Sequence, residues 1–103
     1  MRLAKWQIEG IVKAAEQAFA APYRLLLFGS RLQDDAKGGD IDLLLETDQP
    51  LAATMAAKIR FLALLDQTIG EQRVDLVLQA AESDPERPIV KRARKEGVEL
   101  CRI

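Results

Sequence analysis

The feature that most constrains the fold is the stretch over residues 23–46, which reads YRLLLFGSRLQDDAKGGDIDLLLE. Its first apolar run ends abruptly at a Gly-Ser pair, and after a polar segment the chain continues as Asp40-Ile41-Asp42 followed by three leucines. This pattern predicts two core strands joined by a polar connection. Because aspartate is uncommon in strands and an unpaired buried carboxylate is costly, these two aspartates require something that compensates their charge.

The composition is that of an ordinary folded domain. The chain has 103 residues, of which 49% are hydrophobic and 30% charged, and its net charge is -1. This length and composition predict a single domain over residues 1–103 and argue against disorder. The near-neutral charge provides no general attraction to nucleic acid or to an anionic membrane. Since we find no secretory signal and no apolar run of about 18 residues, we expect a cytoplasmic location and no membrane association.

Histidine is absent from the sequence, and Cys101 is the single cysteine. The absence of histidine excludes Ser-His and Cys-His nucleophilic systems, imidazole zinc sites and histidine acid-base chemistry. An internal disulfide is excluded as well, and we expect Cys101 to act as a small apolar residue in the last strand. Any catalysis must therefore use carboxylates, lysine, arginine, tyrosine or a bound metal.

Hydrophobic spacing divides the chain into helices and strands. Helices are predicted over residues 3–19, over residues 51–69 and from Pro88 to Gly97. Strands are predicted over residues 23–28, 40–46, 73–78 and 98–101, with the last at a sheet edge. Between the first two strands we expect a helical turn over residues 30–34 and a flexible loop over residues 36–39.

Three aspartates interrupt these predicted strands. Asp40 and Asp42 lie two positions apart on one face of the second strand, roughly 6 to 7 Å from each other, and Asp75 interrupts the third strand. If the third strand lies beside the second, the three carboxylates form a cluster suited to two Mg²⁺ ions and to in-line phosphoryl displacement. Asp75 is then the best candidate to take the proton of an attacking hydroxyl. Glu46 lies further along the same face, where we expect a solvated strand-end carboxylate.

The Gly-Ser turn predicts a site for phosphate groups beside these carboxylates. Gly29 allows close backbone approach to a phosphate, and Ser30 offers a hydroxyl and an amide. Arg31 adds a guanidinium that suits phosphate oxygens, although a plain surface cation is the alternative. The basic run over residues 91–95 is interpreted as the solvated face of a helix and not as a nucleic-acid site, because cations favour the last turns of a helix. Trp6 and Phe61 are expected in core or partner contacts.

Together these motifs resemble the nucleotidyltransferase superfamily related to DNA polymerase beta. The matching positions are Phe28-Gly29-Ser30, then Asp40-Ile41-Asp42, then Asp75 within the third strand. The short chain, the Gly-Ser-Arg form and the ending EGVEL resemble the minimal nucleotidyltransferases, the MNT proteins of prokaryotic toxin-antitoxin pairs. The resemblance covers essentially the whole chain. It implies an α+β fold of αβαβαβ type, with a mixed sheet of three to four strands flanked by helices.

The resemblance also implies an activity. It implies Mg²⁺-dependent transfer of AMP from ATP, with release of pyrophosphate, to a tyrosine of a helical HEPN toxin that the protein neutralises as an antitoxin. Asp40, Asp42 and Asp75 would hold two Mg²⁺ ions, and Gly29, Ser30 and Arg31 would hold the ATP phosphates. Two alternatives remain open: a binding module that neutralises its partner without catalysis, and a nucleotidyltransferase that modifies a small molecule. Because so short a chain has no further domain to close the site, a partner or another copy would supply the missing wall.

Overall fold

A computed structural model describes residues 3–29 and 40–103, so the helical turn and the loop predicted between the first two strands lie outside the described residues. The helices are α1 (Lys5–Ala18), α2 (Leu51–Ile69) and α3 (Pro88–Glu96), and the strands are β1 (Tyr23–Phe28), β2 (Ile41–Thr47), β3 (Val74–Gln79) and β4 (Val98–Arg102). The predicted helices and strands are confirmed, and the largest difference is that α1 begins at Lys5. Within the described ranges, no helix combines the length and the apolar character that crossing a membrane requires.

The four strands form one mixed sheet in the order β3-β2-β1-β4. Strand β1 pairs antiparallel with both β2 and β4, whereas β2 and β3 pair in parallel and are connected through α2. Among the described strands, β4 pairs with β1 alone, which confirms its predicted edge position. The predicted α+β class, with a mixed sheet flanked by helices, is therefore confirmed.

One face of the sheet packs against α1 and α2 and forms the main core. Ile41, Leu43 and Leu45 of β2 are completely buried in this core, as their alternation along the strand predicts. Phe61 of α2 is also completely buried, and its ring centroid lies 5.3 Å from that of Phe19. Trp6, by contrast, is 57% exposed, so of the two aromatic residues discussed above only Phe61 is a core residue.

The opposite face of the sheet packs against α3. Its buried residues are Leu26, Phe28, Leu44, Val90 and Ala93. Leu44 lies between Asp42 and Glu46 on this side of β2, because side chains two apart on a strand share a face. Helix α3 therefore covers the middle of this face. Asp42 and Glu46 lie on either side of Leu44, toward opposite ends of β2.

Candidate active site

The strand aspartates meet at one end of the sheet. Parallel pairing of β2 with β3 places Asp42 directly opposite Asp75, and Asp40 immediately precedes β2. The amide of Ile41 donates a hydrogen bond to the carbonyl oxygen of Arg73 at 2.9 Å, which continues the pairing beyond the strand start. The predicted adjacency of the second and third strands is thus confirmed, and the backbones of all three aspartates come together.

The electrostatics of Asp42 show that these carboxyl groups influence each other. Burial raises the pKa of Asp42, and the negative charges of Asp75 and then Asp40 raise it further. The positive charge of Arg92 on α3 acts in the opposite direction and lowers it. The pKa remains raised overall, because burial and the two neighbouring carboxylates outweigh the charge of Arg92.

The chemistry of the cluster suits a hard divalent cation, because carboxylate oxygens are the ligands that such ions prefer. The carboxylate of Asp40, however, lies beside Arg73, with Oδ2 at 3.6 Å from Nε. Across residues 3–29 and 40–103, no group of three or more histidine, cysteine, aspartate or glutamate side chains is arranged to hold a metal ion. The carboxylate oxygens suit a divalent cation. Among the described residues, however, three such side chains do not converge as a complete metal-binding triad requires.

Gly29 brings the end of β1 directly against Asp42. It adopts the left-handed conformation, with φ at +82°, and Phe28 before it is paired with Asp42 across the sheet. A Cβ atom added at Gly29 would overlap the carboxylate of Asp42. Glycine is therefore required both by the backbone conformation and by the close approach. Ser30 and Arg31, the other residues predicted to contact phosphate, lie outside the described residues, and their roles stay predictions.

Glu46 corrects one expectation, since it is not a solvated carboxylate. Its side chain is only 16% exposed, and it accepts hydrogen bonds from Arg24 at 3.1 Å and from Arg94 at 2.9 and 3.2 Å. Burial raises the pKa of Glu46, but the hydrogen bonds from Arg94 and Arg24 outweigh burial and lower it overall. Glu46 therefore ties α3 to the end of the sheet opposite Asp42.

Replacing Glu46 with glutamine is expected to lower the free energy of unfolding by about 1–2 kcal/mol at pH 7, because two arginines lose a charged acceptor. The folded-state pKa of Glu46 is lower than its ordinary value of 4.5. Its stabilisation is therefore complete above that value and is lost as the pH falls through the folded-state pKa. Urea unfolding at pH 7 and at about pH 3 should show a difference between the two proteins that shrinks in acid.

The matched control for this prediction is Glu71→Gln, at an exposed position. We expect it to change the free energy of unfolding by less than about 0.5 kcal/mol at either pH. A Glu46→Gln protein as stable as the wild type at pH 7, or a difference that is undiminished in acid, would contradict the assigned interaction.

Arg92 and Arg73 were missed by the sequence reasoning as neighbours of the carboxylate cluster. Arg92 belongs to the basic run over residues 91–95, whose side chains other than Ala93 are exposed as expected of a helix surface. Spacing along α3 indicates which side chains share a face, but it does not indicate which end of the sheet that face meets. Arg73 carried no distinguishing signal, because its partner Asp40 precedes a different strand and is distant in sequence.

The sequence model of the nucleotidyltransferase domain family matches residues 8–101, which include all four strands nearly to the end of β4. The chain belongs to this family. Members act on nucleotide substrates with a divalent metal, and membership supports nucleotidyl transfer as the general activity. No curated protein matches the chain. The superfamily that the motifs indicated is therefore confirmed, and the MNT antitoxin subgroup stays a prediction.

Proposed function

We propose that this protein is a Mg²⁺-dependent nucleotidyltransferase that transfers AMP from ATP to a hydroxyl acceptor and releases pyrophosphate. The observation that carries the proposal is the close approach of Gly29 to Asp42, which itself lies opposite Asp75. Gly29, which we expect beside a phosphate, and a pair of carboxylates thus share one end of the sheet, in a chain that belongs to the nucleotidyltransferase domain family.

The roles of the individual side chains follow from their positions. Asp42 and Asp75, joined by Asp40, would hold Mg²⁺, which when bound neutralises phosphate charge and lowers the pKa of a coordinated hydroxyl. Asp75 would accept the proton of the acceptor hydroxyl. To bind Mg²⁺, Asp40 would give up its ion pair with Arg73. This pair is weak, because Oδ2 of Asp40 lies 3.6 Å from Nε of Arg73 and the Arg73 side chain is 83% exposed.

For the acceptor, we infer a tyrosine of a helical toxin encoded beside this protein, so that the protein acts as an antitoxin in the cytoplasm. The Gly-Ser-Arg form and the chain ending that resemble the minimal nucleotidyltransferases support this inference. The fold is consistent with this inference. Among the described elements, the helix that packs on the sheet face carrying Asp42 is α3, and it covers the middle of that face. A partner protein, or a second copy of this chain, would complete the wall around the nucleotide.

The test combines the purified protein with the product of the neighbouring reading frame, MgCl₂ and ATP labelled at the α-phosphate. We expect label on the partner, a mass increase of AMP on a tyrosine peptide, and loss of label when that tyrosine is replaced by phenylalanine. Asp75→Asn should abolish labelling while the two proteins still form a complex. Asp66→Asn, which changes an exposed carboxylate of α2, is the matched control and should label normally.

The other outcomes separate the alternatives. Labelling by Asp75→Asn at the wild-type rate would contradict the assigned site. Neutralisation of the partner without any label would indicate a binding module, and transfer to a free hydroxyl compound without a protein partner would indicate a small-molecule enzyme.

A further inference from the structure

The orientation of α3 determines where its basic side chains lie. Ala93 is completely buried against the sheet, and one residue step rotates a side chain by about 100° around a helix axis. The residues before and after Ala93 therefore leave the interface on opposite sides of α3. Arg94 leaves on the side of Glu46, to which it is hydrogen bonded. Arg92 consequently lies on the other side, toward the end of β2 that carries Asp42.

The charge of Arg92 acts on Asp42 in the direction that this placement predicts. Arg92 is the one basic group among the resolved causes that shift the pKa of Asp42, and its effect opposes those of burial, Asp75 and Asp40.

Arg92 is also available to a ligand. Its side chain is 61% exposed, and its Nε lies 3.1 Å from Oε2 of Glu96, one helical turn further along. Exposed pairs of this spacing are weak in water and are readily exchanged for a stronger acceptor. Arg94, by contrast, donates two hydrogen bonds to a half-buried carboxylate and is held in place.

We propose that Arg92 is a phosphate-binding residue of the active site, and that it exchanges Glu96 for a phosphate oxygen of the bound nucleoside triphosphate. The proposal rests on the proposed function, since it requires a nucleotide at the Asp42 end of the sheet. A guanidinium suits the role because its planar donors match phosphate oxygens and it remains charged at all working pH values. Helix α3 would thereby add a cation to the site.

The experiment is isothermal titration of ATP and of inorganic triphosphate, each with Mg²⁺ and without an acceptor, into the wild type and four variants. Arg92→Gln is expected to weaken binding of both ligands by about tenfold, the effect of losing one charge-assisted contact. Arg92→Lys should recover part of the loss, because the charge remains without the planar donors. Thermal unfolding shows whether each variant retains the wild-type Tm.

Two further variants sharpen the result. Lys95→Gln removes the same charge from the same helix at an exposed position on the side away from the sheet, and it should bind both ligands within about twofold of the wild type. Glu96→Gln releases Arg92 from its ion pair and should leave binding equal or up to about twofold tighter.

Each remaining outcome has one meaning. If the wild type binds ATP and Arg92→Gln binds both ligands equally well, the role of Arg92 is overturned while the proposed function stands. A loss confined to ATP, with inorganic triphosphate unaffected, would overturn the phosphate assignment, because the contact would then be to the nucleoside. A wild type that binds no ATP, either alone or in complex with the partner of the labelling assay, would overturn the proposed function, and the role of Arg92 with it.

Discussion

Asp42→Asn is expected to reduce nucleotidyl transfer by at least about a hundredfold, while the fold is retained and the metal-free protein becomes slightly more stable. The loss follows from removing a charged ligand from the centre of the carboxylate cluster. The gain follows from the raised pKa of Asp42, because burial, Asp75 and Asp40 all disfavour its ionised form. We expect an increase of about 0.2–1 kcal/mol in the free energy of unfolding at pH 7, the scale of a like-charge contact between paired strands.

The pH dependence of this gain has a definite sign. A carboxyl group with a raised folded-state pKa destabilises the fold while it is ionised, and this cost disappears as the pH falls through that raised pKa. The stability advantage of Asp42→Asn should therefore be present at pH 7 and should vanish in acid. Urea unfolding in EDTA at several pH values measures it, together with the labelling assay for transfer.

Added Mg²⁺ provides a second measure of the role of Asp42. A cation that binds only the folded state stabilises it. Once the cation concentration exceeds the dissociation constant, this stabilisation grows with the logarithm of the concentration. Mg²⁺ should raise the Tm of the wild type and of the Asp66→Asn control, and it should leave that of Asp42→Asn nearly unchanged. An Asp42→Asn protein that transfers AMP normally, or that gains the same stability from Mg²⁺, would refute the assignment.

Gly29→Ala is expected to lower both stability and activity. At φ +82° an alanine costs about 1–2 kcal/mol, and its Cβ atom would overlap the carboxylate of Asp42. Because the carboxylate must move or the turn must open, we expect a total loss of about 2–3 kcal/mol in the free energy of unfolding and a loss of about a hundredfold in transfer. Urea unfolding and the labelling assay measure the two effects.

Gly70→Ala is a close control for this prediction. Gly70 has φ at +83° and ψ at −176°, a conformation that glycine alone adopts readily, and a Cβ atom added there meets nothing within 4 Å. Gly70→Ala should therefore show a backbone cost of about 1–3 kcal/mol and normal transfer. The difference in transfer between the two variants reports the displacement of Asp42. Equal effects on stability and activity at both glycines would show that contact with Asp42 is unimportant.

Much of the fold was predictable because its signals are local. The helix predicted over residues 51–69 has the observed bounds, since Pro50 precedes its first residue and Gly70 follows its last with a positive φ. The alternation along β2 correctly separated Ile41, Leu43 and Leu45, which pack under α1 and α2, from Leu44, which packs under α3. These features depend on the periods of helix and strand, and those periods are visible in consecutive residues.

Part of the site was also predictable, because the spacing of residues within a motif determines which side chains share a face of a strand. The spacing of Asp40 and Asp42 indicated one face of one strand, and the third interrupted strand indicated Asp75. Pairing in the sheet then confirmed Asp75 as the neighbour of Asp42. The contact of Gly29 with the Asp42 carboxylate is more specific than the sequence indicated, because it depends on the antiparallel register that pairs Phe28 with Asp42.

The sequence by itself determined the helices and strands, the two faces of the sheet and the acidic and glycine motifs at the ends of its strands. Only the tertiary structure decided which charges meet. Glu46 was expected in solvent, yet it binds Arg94, which lies 48 positions away, because α3 folds back over the sheet. The same packing lets the charge of Arg92 lower the pKa of Asp42. The physical reason is that ion pairing depends on distance in space, and the packing of Val90 and Ala93 on the sheet sets that distance.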